Sequence, residues 1–160
     1  MAISYDLECA TEAPAAEVAA LLAGIGKGVG VFDATVTAEL LVGTGVNARY
    51  GTWIRVTQEQ TPHPWHLVVA GLGLTPTVSV AFRVAKGVEV SEQQDDMLCL
   101  VLPLLERVGG DAVLHYQYES IWLLRKGGEL SLSEDDDLWR PHRMLLVPQP
   151  YKRETHRFEG

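Results

Sequence analysis

Residues Thr77–Pro141 read TVSVAFRVAKGVEVSEQQDDMLCLVLPLLERVGGDAVLHYQYESIWLLRKGGELSLSEDDDLWRP. Within this stretch Val78, Val80 and Phe82 alternate with small or polar residues, which is typical of a strand with one buried face. A helix, three short strands and an acidic loop are predicted to follow. The stretch therefore predicts the larger part of an α+β domain.

The predicted helix begins at Ser91 and carries an apolar stripe at helical spacing. Ser91 and Gln94 fit a capping box, in which each side chain satisfies a backbone N–H of the first turn. Pro103 lies in the helix interior, where it removes a hydrogen bond and predicts a kink. Gly109 and Gly110 predict the end of the helix.

The rest of the chain supplies further elements. Three strands are expected at 112–117, 121–125 and 129–133, because alternating residues there are separated by short turns. Before the quoted stretch, the patterns predict a strand at 3–9, a helix from Pro14 that ends among the glycines at 24–30, strands at 35–42 and 50–58, and a weaker strand at 65–70.

The resulting order is β-α-β-β-β-α-β-β-β, which predicts a largely antiparallel sheet with two helices packed on one face. The chain has 160 residues, of which 47% are hydrophobic, and this suits one domain with a substantial core. We expect residues 1–147 to form this single α+β domain. Residues 148–160, which are polar and contain proline, are expected to form a loosely ordered tail.

The net charge of −8 is unevenly distributed. Residues 1–139 contain 19 Asp and Glu against 8 Lys and Arg, whereas residues 140–160 contain 5 Lys and Arg against 2 Glu. An acidic body disfavours nucleic acids and anionic membranes as partners and suits a basic protein. Solubility alone is the simpler explanation of such a charge.

The N-terminal residues show no basic region followed by an apolar run, so no secretory signal is predicted. Cys9 and Cys99 are far apart in sequence and are expected to be buried free thiols in a reducing cytoplasm. A disulfide between them is the alternative. The predicted location is therefore cytoplasmic.

Candidate catalytic and ligand-binding motifs are weak. Gly24–Gly30 resembles a phosphate-binding loop, but it ends a helix and lacks Gly-Lys-Ser/Thr, so a flexible helix exit is favoured. His63 and His66 offer two metal ligands, fewer than a zinc site requires. No nucleophile elbow is present. The sequence therefore predicts no catalytic residue, no metal site and no cofactor.

The strongest candidate for a partner-binding site is the run Glu134, Asp135, Asp136 and Asp137, followed by Leu138, Trp139 and Arg140. Carboxylates steer a basic partner, while Trp and Arg frequently anchor protein interfaces. The alternatives are a solvated loop with Trp139 in the core, or a calcium site, although EF-hand spacing is lacking.

Several segments, taken in order, resemble a known family. They are Ile3–Glu8, Pro14–Ala19, Arg49–Gly51, Val78–Val84, Met97–Leu98, Ile121–Arg125 and Gly127–Gly128. The family is that of the Sit-type immunity proteins, the partners of bacterial swarming-inhibition toxins. The resemblance covers roughly residues 3–145 and is poorest between Gln60 and Thr75.

This resemblance implies that the protein binds a cognate toxin inside the producing cell and blocks it without catalysis. It transfers no catalytic residue, and the binding residues of such proteins vary with the toxin. Two other hypotheses remain open from the residues themselves: a small metal-dependent or hydrolytic enzyme that uses His63 and His66, and a cytoplasmic interaction module unrelated to toxins.

Overall fold

A computed structural model describes residues 3–59 and 71–158. The helices are α1 (Ala15–Gly28), α2 (Ala38–Val42), α3 (Val90–Arg107) and α4 (Pro141–Met144). The strands are β1 (Ser4–Ala10), β2 (Val46–Asn47), β3 (Trp53–Gln58), β4 (Val78–Arg83), β5 (Asp111–Tyr116), β6 (Ser120–Lys126), β7 (Glu129–Leu132) and β8 (Lys152–Arg153).

The strands form one sheet in the order β2-β3-β4-β1-β5-β6-β7-β8. Every pair is antiparallel except β7 with β8. Strand β1 lies at the centre, where Leu7 is opposite both Val80 of β4 and Leu114 of β5. The expected α+β class with a largely antiparallel sheet is confirmed.

Helices α1 and α3 cover one face of this sheet. Leu22 of α1 and Leu98 of α3 are fully buried and belong to the same hydrophobic cluster as Leu7 and Val80. The opposite face carries a second, smaller cluster around Val113. Burial of apolar area on the helical face provides the main driving force for this arrangement.

An irregularity in β6 brings an additional aromatic residue into the core. Leu123 pairs with Leu114 and Ile121 pairs with His115, so Trp122 is the extra residue of a β-bulge. Its ring meets that of Tyr5 edge to face, with centroids 5.3 Å apart. The bulge thus places Trp122 beneath the segment that follows β7.

The prediction for residues 35–42 is wrong. Instead of a strand, the chain forms α2, whose first turn is capped by the Thr37 hydroxyl accepting from the Leu40 N–H at 3.2 Å. The capping bond satisfies a helical N–H that a strand would have paired with a neighbour. The alternating apolar pattern is compatible with this helix because only Leu41 needs to be fully buried within it.

The capping box predicted for α3 is also wrong. The helix begins at Val90, and Glu89 precedes it without a side-chain cap. Ser91 and Gln94 instead accept hydrogen bonds from Arg143, which lies far away in sequence. Pro103 lies inside the helix, which continues to Arg107.

Both cysteines are free, as expected; Cys9 is buried, whereas Cys99 is only partly buried because it faces the outer side of α3. Residues 148–158 of the expected tail include β8, which lies parallel to β7 at the sheet edge. The weaker strand expected at 65–70 falls outside the described residues. Among the helices that the structure describes, none has the length and apolar character needed to cross a membrane.

Candidate partner-binding surface

The acidic run forms an exposed turn between β7 and α4. The side chains of Glu134, Asp135, Asp136 and Asp137 are all exposed. The Asp135 carboxylate accepts from the Asp137 N–H at 2.9 Å, and the Asp135 carbonyl accepts from the N–H of Trp139 at 3.0 Å. These local bonds fix the turn, and all four acidic residues remain exposed within it.

The C-terminal segment supports the same turn from one side. Glu134 and Thr155 exchange two hydrogen bonds of 3.1 Å, each between a backbone N–H and a side-chain oxygen. Arg153 donates to the Ser133 carbonyl at 2.9 Å and approaches the Asp136 carboxylate at 3.3 Å. The C-terminal segment is therefore attached to the turn at Ser133, Glu134 and Asp136.

Trp139 lies in the core, although the sequence suggested it as an interface anchor. Its relative accessibility is 0%, and its indole N–H donates to the Trp122 carbonyl at 2.7 Å. The two indole rings meet edge to face at 6.4 Å. Trp139 therefore offers no surface to a partner in this structure.

Arg140 is exposed, as a contact residue must be, and its guanidinium donates to the Ser91 hydroxyl at 3.0 Å. This bond joins the acidic turn to the first turn of α3. Two further exposed acids, Glu89 and Glu92, flank Ser91 there. We call Glu89, Glu92, Glu134, Asp135, Asp136 and Asp137 the acidic surface.

A residue that the sequence patterns did not identify holds this surface together. Arg143 of α4 is completely buried, and its guanidinium donates to the Asp95 carboxylate at 2.6 Å and to the Leu138 carbonyl at 2.9 Å. It also donates to Ser91 and to Gln94. In the sequence, only the positive charge of the segment after residue 139 pointed to this region, and that charge does not single out Arg143.

The ionisation of Asp95 reflects these contacts. Partial burial acts to raise the pKa of its carboxyl group, but hydrogen bonds from Arg143 and His142 outweigh it and hold the pKa below its ordinary value. Asp95 therefore remains a carboxylate that balances the buried guanidinium.

A second pair of titratable groups lies on the opposite face of the sheet. His115 is fully buried, and its Nε2 lies 3.0 Å from a carboxylate oxygen of Glu8. Its Nδ1 accepts from the Tyr118 N–H at 3.1 Å, so the ring proton belongs on Nε2 and is donated to Glu8. The pair supports a turn in which Gln117 and Tyr118 both have positive φ.

Two observations on the described residues concern metal binding and nucleophilic chemistry. Across 3–59 and 71–158, no group of three or more His, Cys, Asp or Glu is arranged to hold a metal ion. His63 and His66 lie outside these ranges. Burial raises the pKa of the Cys9 thiol to about 12, which opposes its use as a nucleophile.

A family model described as SitI3-like matches residues 3–143 of this chain. The match confirms the resemblance drawn from the sequence segments and extends over most of the chain. Searches of curated proteins and of solved structures each give no match.

Proposed function

Because the chain belongs to the SitI3-like family, we propose that it is an immunity protein that binds a cognate bacterial toxin and neutralises it by stoichiometric occlusion. The observation that carries this proposal is the family match over residues 3–143. In this role the protein covers a functional surface of the toxin and performs no chemistry of its own.

The acidic surface is proposed as the face that attracts the toxin. Its carboxylates are exposed, and the chain as a whole has a net charge of −8. Such a face accelerates association with a basic protein through long-range attraction, and the acceleration weakens as salt is added. The toxin is accordingly expected to present Lys and Arg around the region that becomes covered.

The site proposed here contains Glu134, Asp135, Asp136, Asp137 and Arg140. Trp139, which the sequence suggested as part of it, is left out because it is buried. Neutralisation is proposed to occur in the cytoplasm of the cell that makes the toxin, without nucleic acid or membrane as a partner.

The first test uses purified toxin domain encoded beside this chain's gene. Formation of a one-to-one complex, together with rescue of growth when both are expressed, is the expected result. A toxin that neither binds the protein nor loses activity in its presence would reject the proposal. The interaction module and the enzyme using His63 and His66 would then be the remaining hypotheses.

The role of the acidic surface is tested with paired variants of equal charge. Asp136→Asn with Asp137→Asn should slow association with the toxin roughly tenfold at low salt and reduce its salt dependence. Glu12→Gln with Glu17→Gln changes the net charge by the same amount at exposed positions near the start of α1. Equal association rates for the two double variants, measured by stopped flow, would remove the acidic turn from the mechanism.

A further inference from the structure

A second surface feature lies on the outer side of the helical layer, at the end of α1. There α3 and Leu146, the second residue after α4, enclose an open groove of about 150 Å³. Its lining includes Val29, Cys99, Leu102, Pro103, Glu106 and Leu146. A cavity of about this size lined by apolar side chains accommodates a group as large as benzene.

Exposed apolar residues concentrate at this groove. In the described part of the chain six large hydrophobic residues are exposed, and Val29, Leu145 and Leu146 are three of them. Leu145 is 87% exposed and directly precedes Leu146, which lines the groove. Isolated exposed apolar residues need no explanation, but a cluster beside a groove marks an interaction site.

Helix α1 carries a shallow depression next to the groove. This depression shares Val29 and Pro103 with the groove and is also lined by Gly24 and Gly28. A Cβ atom added at either glycine would meet no atom within 4 Å. The protein's own packing thus does not require glycine at these positions, whereas another chain can approach closely there.

The charge around the groove distinguishes between possible occupants. Glu106 is part of the lining and Arg107 lines the adjoining depression, while Asp95 and Asp96 near Cys99 are paired with Arg143 and Arg49. The negative charge that selects an occupant therefore comes from the neighbouring acidic surface and from the net charge of −8. A second copy of this chain, with its net charge of −8, is disfavoured at such a place. A basic partner is favoured.

The groove is also connected to the acidic surface. Helix α4 lies between them, and Arg143 and His142 of that helix both bond to Asp95 of α3. The acidic turn precedes α4, and Leu145 and Leu146 follow it. One partner can therefore contact the acidic surface and the groove together.

We propose that the groove receives an apolar side chain from a Lys- and Arg-rich segment of the cognate toxin. The inference rests on the proposed function and adds to it the apolar anchor that the buried Trp139 does not provide. Electrostatic attraction brings the toxin to the acidic surface, and insertion into the groove then sets the lifetime of the complex.

The thiol of Cys99 reports directly on the groove. The chain has two cysteines, and Cys9 is buried, so alkylation of the folded protein by N-ethylmaleimide is expected at Cys99. Saturation with purified toxin domain should slow this alkylation at least about tenfold, because the seated side chain covers the sulfur. Cys9, identified by peptide mass, serves as the internal control for unfolding.

A pair of leucine variants completes the experiment. Leu146→Ser should weaken toxin binding about tenfold through faster dissociation, with an unchanged association rate. Leu40→Ser removes a comparably exposed leucine that lies outside the groove lining and should change binding less than about twofold.

The outcomes separate this inference from the proposed function. Suppose that the wild-type protein binds the toxin, but Cys99 in the complex reacts as fast as in the free protein, or Leu146→Ser binds as tightly as wild type. Either result shows that the groove is not the anchor and leaves the proposed neutralisation intact. If the wild-type protein forms no complex, the proposed function fails and the groove proposal fails with it.

Discussion

Trp139 shows why an aromatic residue beside an acidic run is ambiguous in sequence. Both interfaces and cores favour Trp, and the neighbouring residues specify neither. The deciding partner is the Trp122 carbonyl, which lies at a β-bulge and accepts the indole hydrogen bond. The exposed acids could be predicted from their type, but the location of Trp139 depends on a contact 17 residues away.

Arg143 offers a direct test of what holds the acidic turn. Replacement by Met would leave the Leu138 carbonyl and the Asp95 carboxylate without their buried donor. We expect Arg143→Met to lower the free energy of unfolding by about 1–3 kcal/mol, since the Leu138 carbonyl loses its donor while the partly exposed Asp95 keeps only His142. Urea unfolding followed by circular dichroism measures the change.

Arg140→Met is the matched control, because Arg140 is exposed and three residues away. Arg140→Met should lower the free energy of unfolding by less than about 1 kcal/mol. Equal effects from the two substitutions would show that the Arg143 contacts do not stabilise the fold.

The ion pair between Asp95 and Arg143 should make the stability of the fold depend on pH. The pKa of Asp95 in the folded protein is lower than its ordinary value of 3.8, so its ionised form stabilises the fold above that pH. The contribution is lost as pH falls from 3.8 through the folded-state pKa. The stability difference between wild type and Asp95→Asn should therefore be present at pH 7 and shrink as the pH is lowered below 3.8. A difference independent of pH, in urea titrations at matched ionic strength, would contradict this assignment.

The predicted elements differ in accuracy for a physical reason. Strands β1 and β4 were predicted because each has one face in the core and one face outside it, and this produces alternation. The five-residue α2 was missed because so short a helix displays only one turn of periodicity, and its Thr37 cap is as compatible with a strand. The capping box of α3 failed because Ser91 and Gln94 have tertiary partners that the local pattern does not contain.

Two glycines of α1 give opposite predictions. Gly24→Ala should raise the free energy of unfolding by about 0.5–1 kcal/mol, because alanine favours a helix interior and the added Cβ meets no atom. Gly26→Ala should lower it by about 1–3 kcal/mol, because its Cβ would lie 2.1 Å from the Phe32 ring.

Phe32 cannot easily move away, since the N–H groups of Val31 and Phe32 both donate to the Gly26 carbonyl. Thermal unfolding of the two variants side by side tests the prediction. Destabilisation by Gly24→Ala would contradict the open space at Gly24, and an unchanged stability of Gly26→Ala would contradict the close contact of Gly26 with Phe32.

For the molecule as a whole, the sequence was sufficient for the α+β class and for the positions along the chain of strands such as β1, β4, β5, β6 and β7. It was not sufficient for the binding face, because the acidic turn, the start of α3 and the C-terminal segment are distant in sequence and meet only in the fold. The groove likewise combines Val29, Pro103 and Leu146 from three separate parts of the chain. Charge composition indicated that a basic partner suits this protein without indicating where it would bind.

The C-terminal segment allows a final prediction that concerns the entire molecule. Beyond residue 147, β8 pairs with β7, and the N–H of Glu154 donates to the Leu132 carbonyl at 2.9 Å. Phe158 packs edge to face on His115, with centroids 5.2 Å apart, on the sheet face opposite the helices. We therefore expect a chain that ends at residue 147 to lose about 2 kcal/mol of stability or more, chiefly from apolar burial and lost sheet pairing.

The truncation should also affect the acidic turn, because Glu134 loses Thr155 and Asp136 loses Arg153. Amide hydrogen exchange at residues 134–137 should accelerate by more than the loss of global stability explains. Such an excess would show that the C-terminal segment stabilises the acidic turn itself as well as the fold as a whole. Arg157→Ser, at an exposed position of the same segment, should leave both quantities unchanged. If the 147-residue chain is as stable as the full protein and its turn exchanges equally slowly, the domain ends at Val147 and the segment beyond it contributes nothing to the proposed binding face.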